Sequence, residues 1–365
     1  MEKSGDPPAS GDTAAAAAVF ARRQARQRLT IRDVARLSNV SVGTASKALN
    51  NNGSLRQETR DRVIAIAKEL GFRPNDLAQS LHRGKTFTVG LISNDSFGRF
   101  AMPIMEGLEE CLADGRVAVF MVNATDDPAR EARHVEQLVA KRVDGIVVTA
   151  RRADRRDKPV VKARDIPVLY VFSRTDDPDA YCLLPDDEGG AMLATEHLIR
   201  LGRKRIVHIT GPERFEAVRL RRNGYRKALA AGGLAEREGD YLPGVWSESW
   251  GRDAVAALFK GKYPPDGIFC GNDQIARGAA DALRERGISV PDAVSIVGFD
   301  NWEIIANGTR PALTSVDMNL KDLGREAGLR LLEMIAGKRL HGVQRLACTL
   351  VVRETCGARI ARLPS

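Results

Sequence analysis

Polar and charged side chains stand directly after several short apolar runs in the larger, C-terminal part of the chain. Arginine and asparagine donate hydrogen bonds, and carboxylates accept them from pairs of hydroxyl groups. A tryptophan ring can stack on the apolar face of a sugar. Such a set predicts binding of a polyhydroxy ligand. Its members are Asn94, Asp95, Ser96, Asp186, Arg219, Arg221, Asn272, Asp273, Asp300, Asn301 and Trp302.

A second set, near the N-terminus, combines small and hydroxyl residues with one lysine. Its members are Gly43, Thr44, Ser46 and Lys47. They follow Ser41, a residue type that caps helices, while Ala45, Ala48 and Leu49 fall on the opposite face. A helix of this size enters the major groove of DNA with its first residues nearest the base edges. A generic three-helix bundle is the alternative, and the exposed small and hydroxyl residues argue against it.

The net charge of +9 at pH 7 is concentrated in the same region. Residues 21–85 contain 14 lysines and arginines against 5 acidic residues, whereas the 280 residues that follow are nearly neutral. A small basic module of this kind favours phosphate neutralisation on nucleic acid, although charge alone fits a solvated surface equally well.

Three predicted helices position the second set. The first begins at Thr30, whose partner three residues later is Asp33, and it ends at the turn 38–40. The second covers 42–49, and a polar loop leads to a third over 57–70, which Gly71 ends. Two short helices joined by a tight turn, followed by a packing helix, predict a helix-turn-helix unit.

Strands alternate with helices over the rest of the chain, which predicts parallel β-α-β layers in two lobes. In such sheets, ligands bind beyond the carboxyl ends of the strands, where the first set of residues stands. The predicted strands are 88–92, 117–122, 145–149, 168–171, 205–209, 267–270, 295–297 and 313–315. The predicted helices are 101–113, 128–141, 189–200, 217–231, 251–260, 273–286 and 319–335.

Several motifs give the chain a strong resemblance to the LacI/GalR family of bacterial transcription regulators. They include LTIRDVARLSNVSVGTASKALN, GFRPNDLAQSL, TVGLI, VDGIVV, DDEGGAMLATEHLIRLG, FCGNDQIARGAADALRERGISVPDAVSIVGFD and PALTSV. The resemblance covers about residues 28–355. It implies an all-α helix-turn-helix domain with a hinge helix, followed by a two-lobed α/β domain like the periplasmic binding proteins. The implied boundaries are an extension over 1–27, the DNA-binding domain 28–74, the hinge 75–86, the effector domain 87–355 and a tail 356–365.

The resemblance also implies which residues contact operator DNA. In the major groove, Val42, Gly43 and Lys47 match base-reading positions, while Thr44 and Ser46 match positions that contact phosphate or base edges. The hinge helix implies a leucine wedge in the minor groove at Leu81, and we expect this segment to fold only on DNA. The full implied set is Thr30, Ser41, Val42, Gly43, Thr44, Ser46, Lys47, Asn50, Asn75, Ala78, Gln79 and Leu81. Two half-sites imply a homodimer on a pseudo-palindromic operator.

For the effector, the resemblance points to Arg221, Asn272 and Asp300 as contacts, with Trp302 stacking on the ligand. Asp95, Asp186 and Arg219 complete the expected set, and a helix cap is the alternative role of Asp186. The implied effector is a small polar molecule such as a sugar or sugar derivative. Arg151, Arg152 and Arg174 follow strands on the same side; such a cluster is more often a solvated surface, and an anionic effector such as a sugar acid or sugar phosphate is the alternative.

Other functional classes find less support in the sequence. A free sugar-binding or transport protein leaves the basic helix-turn-helix unexplained and normally requires an export signal, whereas arginines follow the run Ala14–Ala18. A sugar-modifying enzyme would need a nucleophile elbow, a phosphate-binding glycine loop or metal-spaced histidines. The five cysteines are scattered without a CxxC pair. We therefore expect a cytoplasmic regulator, without cofactor or metal and without enzymatic activity.

Overall fold

A computed structural model describes residues 29–50, 53–72, 86–95, 97–113, 117–151, 155–156 and 166–358. The chain divides into two compact units, Met1–Thr86 and Phe87–Ser365. The predicted extension 1–27 and the contact residues Asn75, Ala78, Gln79 and Leu81 of the hinge lie outside the described residues, as do Ser96 and Arg152.

The small unit contains three described helices, α1 (Ile31–Leu37), α2 (Val42–Leu49) and α3 (Gln57–Glu69). The first begins with the predicted cap, because the Thr30 amide donates to Asp33 Oδ2 over 2.9 Å. The second begins at Ser41, whose hydroxyl accepts from the Thr44 amide over 3.1 Å. The helices enclose a small core made by Val34, Ala35, Ala45, Ala48, Val63 and Ala67.

The large unit begins with β1 (Thr88–Ser93), α4 (Ala101–Ala113), β2 (Ala118–Asn123), α5 (Pro128–Ala140), β3 (Gly145–Thr149), β4 (Arg155–Arg156), β5 (Val168–Val171), β6 (Arg174–Thr175), β7 (Tyr181–Pro185) and α6 (Asp187–Arg200). It continues with β8 (Ile206–Thr210), α7 (Glu216–Ala231), β9 (Tyr241–Pro243), α8 (Glu248–Leu258), β10 (Gly267–Cys270), α9 (Asp273–Glu285), β11 (Ser295–Phe299) and α10 (Glu303–Gly308). The last elements are β12 (Ser315–Asp317), α11 (Leu320–Ile335), β13 (Gly342–Leu346) and β14 (Thr349–Val351).

Two six-stranded sheets form the centres of two lobes. Lobe 1 has the strand order β13-β7-β5-β3-β1-β2, and lobe 2 has the order β14-β12-β11-β10-β8-β9. The pairings are parallel, as predicted, except that β14 runs antiparallel to β12. Strands β4 and β6 form a separate two-stranded ribbon.

The chain passes between the lobes at three places, after β7, after β12 and after β13. Helix α6 packs on β11, β12 and β14 of lobe 2, and α11 returns to pack on α4 and β5 of lobe 1. Because the strands of each lobe are parallel, the loops at their carboxyl ends collect at one edge of each sheet. This arrangement brings residues far apart in sequence to a single cleft.

The prediction of alternating strands and helices is confirmed over most of the large unit, with two kinds of difference. The predicted last strand, 313–315, lies instead at Ser315–Asp317. The strands β4, β6, β7, β9, β13 and β14 and the short helix α10 were not predicted. Strand β13 is an edge strand whose residues are exposed or half-buried, so it lacks the apolar run that marks an interior strand. No helix among the described residues is long and apolar enough to cross a membrane.

Candidate functional site

Helix α2 presents a polar face away from the core of the small unit. Ser41, Val42, Gly43 and Lys47 are exposed, while Thr44 and Ser46 are half-buried. Val42 is notable, because an apolar side chain at the start of a helix is left 44% exposed. A surface with this mixture of methyl, hydroxyl and ammonium groups suits contact with base edges and phosphates.

The packing of the small unit does not require a glycine at position 43. A Cβ atom built there would meet only the Ser41 hydroxyl, at 3.8 Å. The backbone of α2 is therefore left uncovered at the point where the sequence predicts a base-reading residue.

The two remaining described members of the predicted DNA-contact set border this face. Thr30 is exposed, and its hydroxyl donates to Asp33 Oδ2 over 2.7 Å. Asn50 is half-buried at the end of α2, where its Nδ2 group donates to the Ser46 hydroxyl over 3.3 Å. These two side chains thus form hydrogen bonds at the start of α1 and at the end of α2.

A cleft of about 550 Å³ lies between the lobes of the large unit. Its volume is in the range of small-molecule binding sites. The lining residues from lobe 1 are Asp95, Phe97, Arg99, Phe100, Arg151 and Phe172. Those from lobe 2 are Phe215, Ala217, Arg221, Trp246, Asn272, Gln274, Asp300 and Trp302. Nearly all of these residues stand in loops that follow strands or in the first turn of the next helix.

Arg221 connects two carboxylates at the floor of the cleft. It is 5% exposed, its Nε donates to Asp187 Oδ1 over 2.8 Å, and its Nη1 lies 3.7 Å from Asp300 Oδ1. Its guanidinium also lies 3.6 Å from the centre of the Phe299 ring and donates to the carbonyl of Gly271. A buried cation with this many partners is held in one orientation.

Asp300 and Asp273 form a buried pair of carboxyl groups beside Arg221. Burial raises the pKa of Asp300 above its ordinary value, while Arg99 and Arg221 oppose that rise. Burial and the nearby charge of Asp300 raise the pKa of Asp273 to about 8. The Trp302 amide donates to Asp273 Oδ2 over 2.6 Å, so this carboxyl fixes the loop that carries Trp302.

Ion pairs join the two lobes across the cleft. Arg99 of lobe 1 pairs with Asp300 of lobe 2. Glu216, at the start of α7 in lobe 2, pairs with Arg174 over 2.5 Å and with Arg345 over 3.3 Å, both from lobe 1. The relative position of the lobes is thus tied to the charges at the cleft.

The structure brings five of the seven predicted effector contacts into the cleft. Asp95, Arg221, Asn272, Asp300 and Trp302 all line it. Asp95 and Asn272 have structural bonds as well. One Asp95 oxygen accepts the Phe100 and Ala101 amides at the start of α4, and Asn272 Oδ1 caps α9 through the Ile275 amide.

Asp186 and Arg219 lie outside the set of residues that line the cleft. Asp186 caps α6, where its Oδ1 accepts the Gly189 amide over 3.1 Å, which is the alternative role considered for it. Arg219 is exposed, and its Nη1 donates to the carbonyls of Glu213 and Arg214. The neighbour Asp187 is the residue that reaches Arg221.

Sequence comparisons match both parts of the chain. A family profile described as "Bacterial regulatory proteins, lacI family" covers residues 30–75, and one described as "Periplasmic binding protein-like domain" covers residues 195–356. The ribose operon repressor of Escherichia coli (strain K12) is 30% identical over 326 residues, which is 89% of this chain and 98% of the repressor. The chain belongs to the LacI family. It is accordingly a DNA-binding transcription regulator with an effector-binding domain.

Solved LacI-family structures share the architecture. A lac repressor dimer bound to operator and the anti-inducer ONPF has a TM-score of 0.72 and 26% identity, covering 91% of this chain and all of that one. A complex of the transcriptional regulator CelR with cellobiose has a TM-score of 0.63 and 28% identity, covering 90% of this chain and all of that one. These relatives are regulators and not enzymes.

The aromatic wall of the cleft was not predicted from the sequence. Its described members are Phe97, Phe100, Phe172, Phe215 and Trp246, and Arg99 and Gln274 were missed beside them. All of them stand within a few residues of a strand end, which was the signal available. Only polar side chains and Trp302 were predicted as ligand contacts, so the phenylalanines and Trp246 were missed.

The raised pKa of Asp273 predicts a pH-dependent stability difference between the protein and its Asp273→Asn variant. In the unfolded chain the carboxyl ionises near pH 4, but in the folded protein it stays protonated to about pH 8. Unfolding therefore releases a proton between these values, and the wild type loses stability as pH rises through this window. Asparagine cannot ionise, so the variant escapes that loss.

Urea unfolding of both proteins at pH 5 and pH 8 measures this effect. The variant is expected to gain stability relative to the wild type between the two pH values, since all other titrating groups are shared. A stability difference that is the same at both pH values would show that Asp273 does not ionise in this window.

Proposed function

We propose that this protein is a repressor whose affinity for its operator is controlled by a small polar effector, a sugar or sugar derivative. The observation that carries the proposal is that one chain combines an exposed, polar recognition helix with an enclosed cleft lined by hydrogen-bonding groups and aromatic rings. A free binding protein uses only the cleft, and a simple DNA-binding module uses only the helix. Operator binding requires access to DNA, so we expect the protein to act in the cytoplasm.

The major-groove contacts in this proposal come from α2. Val42 is suited to a thymine methyl group, and Lys47 to a guanine edge or a phosphate. Thr44 and Ser46 supply hydroxyl groups, and Gly43 leaves room for a close approach of backbone to DNA. Ser41, Thr30 and Asn50 border this surface and extend it.

A homodimer on a pseudo-palindrome completes the DNA-binding side of the proposal. The lac repressor structure is a dimer on its operator, which supports the same assembly here. The segment 75–86 would join the two domains as a hinge, with Leu81 as the minor-groove wedge and Asn75, Ala78 and Gln79 beside it.

The proposed effector contacts are the described cleft residues Asp95, Arg221, Asn272, Asp300 and Trp302. Carboxylates and amides bind pairs of hydroxyl groups, and the rings of Trp302 and Trp246 stack on the apolar face of a sugar. The ribose operon repressor and the CelR–cellobiose complex support a sugar as the ligand class.

Effector binding between the lobes would change their relative position and so the operator affinity. The coupling free energy expected for such a change is about 1–3 kcal/mol. The charged contacts between Arg99 and Asp300, and at Glu216, are the bonds that any such movement must rearrange.

Selection of binding sites from random duplex DNA, followed by a gel-shift assay, tests the regulator. We expect a palindrome whose binding weakens steeply with salt. If Lys47 reads a guanine, Lys47→Ala should weaken the binding free energy for the operator by about 1–3 kcal/mol and relax the sequence preference at one base pair. If Lys47 binds a phosphate, the affinity should fall equally for all DNA sequences. The slope of the binding constant against salt concentration, both as logarithms, should then decrease by about one for each lost phosphate contact.

Lys338→Ala is the matched control, because it removes the same charge from the effector unit, where Lys338 pairs with Glu333 over 3.1 Å. It should bind the selected palindrome like the wild type. Binding without sequence preference or salt dependence would overturn the proposal.

A further inference from the structure

Arg99 occupies an unusual position in the cleft. It lies in the loop between β1 and α4, and its side chain is only 14% exposed. The guanidinium lies over two rings, 4.8 Å from the centre of Phe100 and 4.4 Å from that of Trp302. The flat cation is therefore held within the wall of the cleft.

The hydrogen bonds of Arg99 are incomplete. One Nη group donates to Asp300 Oδ2, whereas Nε is buried and finds no acceptor among the described residues. A buried donor on a cation that lacks an acceptor is energetically unfavourable. A ligand that supplies an acceptor as the Arg99 side chain turns toward it removes that cost.

Two other buried charges of the cleft already have several partners. Arg221 is bonded to Asp187 and to the Gly271 carbonyl, and the Asp95 carboxylate accepts two amides at the start of α4. Arg174, which was predicted with the cleft arginines, is paired with Glu216; its Nε is also buried without an acceptor among the described residues, but Arg174 does not line the cleft. Arg99 is thus a buried lining cation that keeps an unused donor, in addition to the exposed Arg151.

Charge on the two sides of the cleft is unequal. Lobe 1 contributes Arg99 and the exposed Arg151 against the single carboxylate of Asp95. In lobe 2, the charge of Arg221 is matched by Asp300, and Asn272 and Gln274 add neutral hydroxyl-binding groups. A ligand hydroxyl that bonds to Asp300 competes with Arg99 for the same carboxylate. Arg99 then needs another anion, because the desolvated cation would lose its partner.

We propose that the effector carries a carboxylate or phosphate group that Arg99 binds, while its hydroxyl groups bind Asn272, Gln274 and Asp300. Arg99 is then the residue that selects a charged sugar derivative over its neutral parent. In the absence of effector, the Asp300 carboxylate takes the place of that anion. This inference rests on the proposed ligand-controlled regulator.

The test is calorimetric titration of the full-length protein with matched sets of compounds. Each set contains a neutral hexose, its uronic acid, its aldonic acid and its 6-phosphate. At least one anionic member is expected to bind about 10- to 100-fold more tightly than its neutral parent, with a preference that weakens at high salt. The acids and the phosphates distinguish the two sources of the anion.

Three variants separate recognition from folding. Arg99→Gln should abolish the preference for the anion, and Arg99→Lys should restore part of it, because lysine keeps the charge but lacks the Nε donor. Arg219→Gln removes the same charge outside the cleft lining and should bind like the wild type. Circular dichroism of each variant checks that it is folded.

The inference is overturned if no anionic compound in the sets binds better than its neutral parent, or if Arg99→Gln keeps the preference. Its failure is distinct from that of the proposed function. A neutral sugar that changes operator binding would leave the regulator intact, whereas the regulator itself fails if the protein binds DNA without sequence preference.

Discussion

Arg221→Ala is expected to lower the free energy of unfolding by about 3–5 kcal/mol and to abolish the effector-dependent change in operator binding. The alanine leaves Asp187, which is 1% exposed, without its counter-charge in the interior. It also removes one of the two cations beside Asp300, whose pKa burial already raises. The expected loss in the free energy of unfolding is therefore that of a broken network of buried ion pairs and hydrogen bonds, which exceeds the loss of a single hydrogen bond.

Urea unfolding and effector titration measure the two effects separately. Arg219→Ala is the matched control, since Arg219 lies two residues away on the same helix and is exposed. It should change stability by less than about 0.5 kcal/mol and leave the effector response unchanged.

An Arg221→Met variant distinguishes instability from loss of recognition. Methionine keeps much of the packing against Phe299 and removes the charge. If this variant is folded at the assay temperature and still responds normally to the effector, Arg221 does not contact the ligand. If Arg221→Ala unfolds like the wild type, the buried ion pairs do not stabilise lobe 2.

Gly107→Ala should have the second large effect, because it forces apart the two helices that cover one face of lobe 1. A Cβ atom at position 107 would lie 1.8 Å from the carbonyl oxygen of Lys321. The contact is reciprocal, since a Cβ atom on Gly324 would lie 2.1 Å from the Ile104 carbonyl oxygen. Backbone cannot move aside like a flexible side chain, so α4 and α11 must separate.

Separation of α4 and α11 loosens the core around Leu108, Leu323 and Leu331. Overpacking of this kind lowers the free energy of unfolding by about 1–3 kcal/mol and occasionally by more. Helix α11 directly follows one of the three passages between the lobes, so effector binding should weaken as well. The exposed ion pairs between the helices, such as Arg325 with Glu110, contribute too little to prevent this.

Thermal unfolding and effector titration measure the result. Gly308→Ala is the control, because no heavy atom lies within 4 Å of a Cβ atom there. It should leave the melting temperature within about two degrees of the wild type. An equally small change for Gly107→Ala would mean that the two helices can adjust without loss.

Local signals in the sequence were sufficient for most of the secondary structure. The caps at Thr30 and Ser41, the apolar spacing in α2 and the alternation of strands with helices all depend on residues a few positions apart. The polar residues predicted to follow strands included Arg221, Asn272 and Asp300, which the family resemblance singled out. The structure brings these three to one cleft, because parallel strands place their carboxyl ends together.

Only the tertiary structure decided which neighbouring residue has which role. Asp186 and Asp187 are adjacent carboxylates at the start of a helix, yet one caps it and the other bonds to Arg221. The orientation of each side chain depends on lobe 2 packing around it. No pattern in the adjacent residues distinguishes them.

The tertiary structure also decided which residues meet in the cleft. The sequence by itself determined that this protein has a recognition helix ahead of a two-lobed binding domain with hydrogen-bonding groups at its strand ends. The tertiary structure alone brought Arg99 to Asp300, 201 residues away, and enclosed the cleft with aromatic rings. Caps and periodicity are set by neighbours along the chain, whereas contacts between lobes depend on how the two sheets meet.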